Sequence, residues 1–247
     1  MNNILIVESK NDELFLRTVV NHLNLKNVHV DNKPICHIHD YQCLEGLNLN
    51  KLILRLEALK NTLPKKDIHS IGIILDHDGK KKERIKLIND AIRIVFDSNQ
   101  FIEDTSQFIN ISARLGRNTY DFKLSCFLVN VQGHGELETL LKTIKTKPSI
   151  YADCLYEWKK CIENHFKSVT DRKPNKIISE KDFDKFWLNN YIRFDTCSSY
   201  EKKQAFRKCS LYNLDYVLLN KKDIFNYDHP ELDSLKKYLY LVSDCNK

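Results

Sequence analysis

The sequence predicts an α/β protein: a mostly parallel central sheet flanked by helices, followed by a helical C-terminal extension. Three observations carry this. Apolar runs that read as strands buried on both faces alternate with stretches of helical period up to residue 147. Beyond Pro148 no further strand pattern occurs. There, Tyr156, Trp158, Phe166, Phe183, Phe186, Trp187 and Tyr191 recur at helix-compatible spacing instead. Two domains are expected, 1–147 and 148–247, the second packed on the first because no Gly-, Pro- or Ser-rich linker divides them.

The first strand is Ile4-Leu5-Ile6-Val7, ending at Glu8. Leu14, Phe15, Val19, Val20, His22 and Leu23 then recur at helical spacing, with Asn11 or Asp12 able to cap the start. A short strand is expected near residues 28–30, then an irregular stretch rich in His, Asp and Cys up to about residue 47. Leu52, Leu56, Leu59 and Leu63 mark an amphipathic helix that ends near Pro64. The strand at 71–75 precedes a helix carrying Ile85, Ile88, Ala91, Ile92, Val95 and Phe96. Residues 108–111 suit an edge strand, 127–131 a core strand and 138–144 a helix. In the C-terminal half, 169–179 reads as a loop around Lys173-Pro174-Asn175-Lys176.

With 247 residues and 42% hydrophobic content the chain can bury a sizeable core. Its 39 Lys and Arg against 33 Asp and Glu give a net charge of +6, mildly favouring an anionic partner. No segment approaches about 18 uninterrupted apolar residues and no leader pattern opens the chain, so a cytoplasmic protein with no membrane partner is expected. Eight cysteines in a chain of this length are expected to be reduced thiols. Cys36, His37, His39 and Cys43 contain metal-ligand types, but their spacing matches no common zinc pattern.

Carboxylates follow three of the apolar runs: Glu8, the pair Asp76 and Asp78, and Glu136 with Glu138. Taken singly, such residues read as helix caps. Taken together, they fall at the C-terminal edge of a parallel sheet, where open α/β folds keep their sites. Carboxylates gathered there repel one another unless a cation lies between them. Asp76 and Asp78 are two apart, so an extended strand end points both the same way. Glu8 completes a hard-oxygen set suited to Mg²⁺ or Mn²⁺.

The order of these motifs resembles the Toprim domain. Val7-Glu8-Ser9-Lys10-Asn11-Asp12 is similar to its opening glutamate motif, and Leu75-Asp76-His77-Asp78-Gly79 to its D-x-D motif. Gly135-Glu136-Leu137-Glu138-Thr139-Leu140-Leu141 resembles the helix start of the OLD-nuclease-like branch, and Phe225 through Leu232 resembles the ending of small stand-alone Toprim-related proteins of unassigned function. The motif resemblance covers about residues 1–145. It implies a Toprim-like Rossmannoid sheet in which Glu8 is a general base or metal-adjacent acid and Asp12 a secondary acidic contact. Asp76, Asp78 and Glu138 would then be metal ligands, with Glu136 a neighbouring candidate. Two departures stand out. Ser9 replaces the usual glycine, where phosphate should approach the backbone closely. Lys80 occupies the third position of the longer acidic form, which points away from topoisomerases and primases.

Lys80, Lys81 and Lys82 open a helix, where cations oppose the helix dipole and an anionic ligand would relieve the conflict. Lys80 is a candidate for transition-state stabilisation, and Lys10, Lys80 and Lys81 are candidates for phosphate contact. His77 and His134 adjoin the acidic motifs and are expected as hydrogen-bonded neighbours. Trp158, Trp187, Tyr191 and Phe194 are of a type that stacks on bases, but their helical spacing assigns them to the core.

The expected function is that of a Mg²⁺- or Mn²⁺-dependent nuclease acting on DNA or RNA. No G-x-x-x-x-G-K-[ST] motif occurs, so energy-coupled action needs a separate ATPase. The competing expectation is a non-catalytic module that binds nucleic acid or protein.

Overall fold

The computed structural model describes residues 2–36, 47–77, 79–131, 136–169, 178–204 and 208–245. The chain divides into two compact units, Met1–Gly135 with Pro230–Lys247, and Glu136–His229. The sequence reading drew its boundary at 147/148. The sheet unit instead takes back the last residues of the chain, whose helix packs on it.

In the first unit, β1 (Asn2–Val7), β2 (Val28–Val30), β3 (Ile68–Asp76), β4 (Phe108–Leu115) and β5 (Asn118–Val129) form one sheet in the order β2-β1-β3-β5-β4. All neighbours are parallel except β4 and β5. These two form a hairpin closed by the pair Leu115 and Asn118, and Gly116, at φ +61°, supplies the left-handed residue that a two-residue loop requires. From β1 the chain steps outward to β2, then returns past β1 to β3. Right-handed crossovers therefore put α1 (Lys10–His22) on one face and α2 (Leu49–Lys60) with α3 (Lys81–Phe96) on the other.

Burial follows this topology. One core gathers alternate strand residues Ile4, Ile6, Ile71, Ile73, Leu75, Leu124 and Cys126 with Leu52 and Leu56 of α2 and Ile88, Ala91 and Ile92 of α3. The intervening residues Leu5, Gly72, Ser125 and Phe127 face the other way, toward the C-terminal helix (Asp233–Asp244). Tyr238 of that helix is fully buried; its hydroxyl lies 3.0 Å from Ser125 Oγ and its ring stacks 5.1 Å from Phe127. A Cβ on Gly72 would meet the Tyr238 hydroxyl at 2.5 Å and Leu5 Cδ2 at 2.7 Å, so glycine here makes room for the tyrosine. Asn27 donates to the Ser243 carbonyl, and the Ser243 hydroxyl donates back to Asn27, both at 2.8 Å.

The second unit is helical: α4 (Leu137–Thr143), α5 (Ile150–Val169), α6 (Glu180–Asn190), α7 (Ser199–Lys203) and α8 (Leu214–Asn220). A π-helical turn, Tyr191–Asp195, continues α6. Trp187 and Tyr191 are core residues, stacked with centroids 5.5 Å apart. Trp158 and Phe194 are not: they are 40% and 38% exposed, because they lie on the outward faces of α5 and the π turn. The thiols also depart from expectation. Cys197 and Cys209 are buried, 6.3 Å apart at Cα, and joined as a disulfide. Among the described residues the thiols of Cys126, Cys154, Cys161 and Cys245 are free. His37, His39, Cys43 and most of the expected loop at 169–179 lie outside the described residues. No helix among the described residues is long and apolar enough to cross a membrane.

Candidate functional site

The site begins with the strand ends. Val7 pairs with Ile74, so β1 delivers Glu8, and β3 delivers Asp76, to the C-terminal ends of adjacent parallel strands within about one residue of register. These two strands flank the topological switch point, because α1 leaves β1 toward one face and α3 follows β3 toward the other. Glu8 and Asp76 are both half-buried. The Glu8 carbonyl accepts from Cys36 N–H at 2.8 Å, which brings the 35–36 segment alongside the end of β1.

Ser9 is the N-cap of α1, with extended backbone at φ −126° and ψ 169°, and needs no glycine. It forms a capping box with Asp12. The Asp12 carboxylate accepts from Ser9 N–H at 2.9 Å and from the Ser9 hydroxyl at 2.6 Å, while Asp12 N–H donates to Ser9 Oγ at 3.3 Å. The motif acid Asp12 thus organises the turn beside Glu8. One residue on, Glu13 is fully buried and was not singled out from the sequence. It pairs with Lys10 at 2.5 Å and Arg17 at 3.0 Å, a set legible in retrospect from the i, i+3 and i, i+4 spacing. Lys10 is therefore already matched to an anion of its own helix.

The turn after β3 is held by backbone bonds. His77 N–H donates to the Val129 carbonyl at 3.0 Å, and Lys80 N–H donates to the His77 carbonyl at 2.8 Å. Gly79 adopts φ +69° and donates to His77 Nδ1 at 3.1 Å, so the imidazole supports the turn. Asp78 and His134 lie outside the described residues. Lys80 is the N-cap of α3 without a side-chain cap bond, and it is exposed. Lys81 pairs with Asp104 at 2.6 Å, and that hydrogen bond holds the Asp104 carboxyl below its ordinary range.

Glu136 and Glu138 belong to the second unit, both buried, Glu136 as the N-cap of α4 and Glu138 in its first turn. Glu136 pairs with Lys181 at 2.7 Å. The sheet edge therefore brings together Glu8, Asp76 and the Ser9–Asp12 cap. Among the described residues no group of three or more His, Cys, Asp or Glu side chains is arranged to hold a metal ion. The donor set at the edge is chemically matched to a hard cation all the same. Carboxylate oxygens are the ligands Mg²⁺ prefers, and it binds through one or two of them while keeping waters.

Fold and edge together define an α/β protein with acidic residues at the switch point of a mostly parallel five-stranded sheet. Residues 2–243 match a family described as Protein of unknown function (DUF3226), and the chain belongs to that family. No curated protein and no solved structure matches it.

Proposed function

We propose that the chain is a Mg²⁺- or Mn²⁺-dependent nuclease of Toprim-like character, cleaving phosphodiesters of DNA or RNA at the edge formed by β1 and β3. One observation carries this reading: Glu8 and Asp76 end adjacent parallel strands at the switch point. The Toprim-like order of the motifs, with Asp78 two residues after Asp76, supports it.

Glu8, Asp76 and Asp78 would hold the metal. When bound, it would supply an activated water and stabilise the departing oxygen. The Ser9–Asp12 cap fixes the exit from β1 and so orients Glu8. Lys80 is the lysine best suited to a phosphate oxygen, being exposed at the start of α3, where the helix dipole also favours an anion. Lys10 and Lys81 serve that purpose only by exchanging Glu13 and Asp104 for phosphate.

Those two ion pairs favour a second reading, a non-catalytic module in which the cations near the edge are structural. A partner ATPase fits either reading, because the sequence has no phosphate-binding G-x-x-x-x-G-K-[ST] loop of its own.

The deciding experiment incubates the purified chain with circular single-stranded DNA, plasmid and structured RNA in Mg²⁺, Mn²⁺ or EDTA, beside an Asp76→Ala/Asp78→Ala variant. Metal-dependent cutting that the variant lacks is expected. Equal cutting by the variant overturns the site, and absence of cutting with any substrate or metal favours the binding module.

A further inference from the structure

The second unit presents a cluster of exposed rings interleaved with cations. Tyr151, at the start of α5, is 61% exposed and lies 6.2 Å, centroid to centroid, from Phe194 of the π turn. Lys202 Nζ sits 5.8 Å from the first ring and 5.9 Å from the second. Tyr200, 66% exposed, shares α7 with Lys202, and Lys208 stands 5.5 Å from the rings of both Tyr200 and Tyr216. The Arg193 guanidinium adds a cation 5.3 Å from Phe194.

Three features make this a built surface. Asp195 accepts from Tyr151 N–H at 2.9 Å and from Ala152 N–H at 3.0 Å, so the π turn caps α5 and holds Tyr151 beside Phe194. The Cys197–Cys209 disulfide ties together the ends of the segment that bears Tyr200 and Lys202, with Lys208 next to it. Two acids of this region, Asp195 and Glu201, are spent internally. Asp195 is used by the α5 cap, while Glu201 accepts from Ser198 N–H at 2.8 Å and pairs with Lys221 at 2.9 Å. The cations among the rings are thus left to face an anion from outside.

We propose that this surface binds single-stranded nucleic acid, with bases stacking on Tyr151, Phe194 and Tyr200 and phosphates meeting Lys202 and Lys208. A protein-docking patch would have a different composition, since lysine is depleted from the cores of protein interfaces. Here lysines lie among the rings. Stacking needs an unpaired base, so single strands are preferred over duplex. The proposal goes beyond the nuclease reading and does not depend on it, because this binding requires no metal.

The test is fluorescence anisotropy of labelled oligothymidylate and oligouridylate, with a duplex control, on the full chain in EDTA so that no metal-dependent cutting intrudes. Single strands should bind more tightly than duplex. Tyr151→Ala/Tyr200→Ala should weaken binding about tenfold or more, while Tyr151→Phe/Tyr200→Phe retains it, because the ring and not the hydroxyl stacks. Lys202→Gln/Lys208→Gln should flatten the dependence of affinity on salt. Absence of binding, equal affinity for duplex, or an unchanged alanine variant overturns the proposal. Failure of cleavage with this binding intact counts against the nuclease reading alone.

Discussion

Lys142 donates to Asp184 at 2.6 Å while its ammonium lies 5.1 to 5.5 Å from the rings of Tyr156, Phe183 and Trp187. Burial disfavours the charge, yet the hydrogen bonds to Asp184 and Tyr156 outweigh it and hold the ammonium above its ordinary pKa. Thr139 also donates to Asp184, at 2.9 Å. Removing the anion alone leaves a cation inside an aromatic cage. Asp184→Ala should therefore cost about 3 kcal/mol, and Lys142→Met, which strands the buried Asp184 carboxylate, should cost a similar amount, whereas the double variant Asp184→Leu/Lys142→Met should cost less than the sum of the two. Urea unfolding of the three variants checks this; additive losses would contradict it.

Gly72 and Tyr238 make a second pair of this kind. Adding a methyl at Gly72 drives it into a hydroxyl that is already fully enclosed. Gly72→Ala should lower stability by about 1–3 kcal/mol, the usual cost of overpacking. The double variant Gly72→Ala/Tyr238→Phe should cost less than the sum of the two single changes, as a thermal-unfolding double-mutant cycle would show.

Acid sensitivity should concentrate at Glu201. Burial works against its carboxylate, but hydrogen bonds from Lys221 and Ser198 pull its pKa from 4.5 down to about 2. A depressed folded pKa stabilises above the unfolded value and is lost as pH falls through the folded one. The contribution should be complete above pH 4.5 and gone by about pH 2. Wild-type stability should fall across that window, and Glu201→Gln should flatten the fall, as measured by urea midpoints at stepped pH.

At the sheet edge, Asp12 separates a cap from a catalyst. Asp12→Ala should destabilise the protein by about 1 kcal/mol through loss of the capping box. The metal affinity proposed for Glu8 and Asp76, measured by titration calorimetry, should fall only modestly, because the cap orients Glu8 without itself holding the ion. A large loss of affinity or of cleavage with unchanged stability would give Asp12 a direct place in the chemistry.

Cleaving the Cys197–Cys209 link by Cys197→Ala/Cys209→Ala should cost about 2–3 kcal/mol for a loop with sequence separation 12. Thermal unfolding with and without reductant gives the measurement: reductant should lower the wild-type midpoint and leave the variant unmoved.

The parallel strands were legible because they are continuous apolar runs, and β1 and β3 fall where Ile4–Val7 and Ile71–Leu75 indicate. The first half of β5 was not. There Phe122, Leu124 and Cys126 are buried while Asp121 and Lys123 are exposed, the alternation of a strand pairing with an antiparallel edge partner. The Gly116-Arg117 turn was its unused signal. Glu8 and Asp76 could be assigned to one sheet edge from position alone. The helical half was harder, since spacing distinguishes a helix face but not which aromatic it buries. Trp187 and Phe194 carry similar patterns and opposite exposure, and only the π turn after Asn190 separates them. The disulfide was missed because neither cysteine lies in a recognisable pair motif.

The docking of Tyr238 over Gly72 also bears on the order of events as the chain leaves the ribosome. All five strands are made before residue 130, yet the helix that covers Leu5, Gly72 and Phe127 starts at Asp233, after the whole second unit. Until then part of that face of the nascent sheet is open to water, to other chains or to chaperones. The unit emerging between them can meanwhile form its own core around Trp187 and Tyr191. Completion of the first unit is thus postponed until the second unit has been made, and a chain stopped before Tyr238 would carry an uncovered sheet.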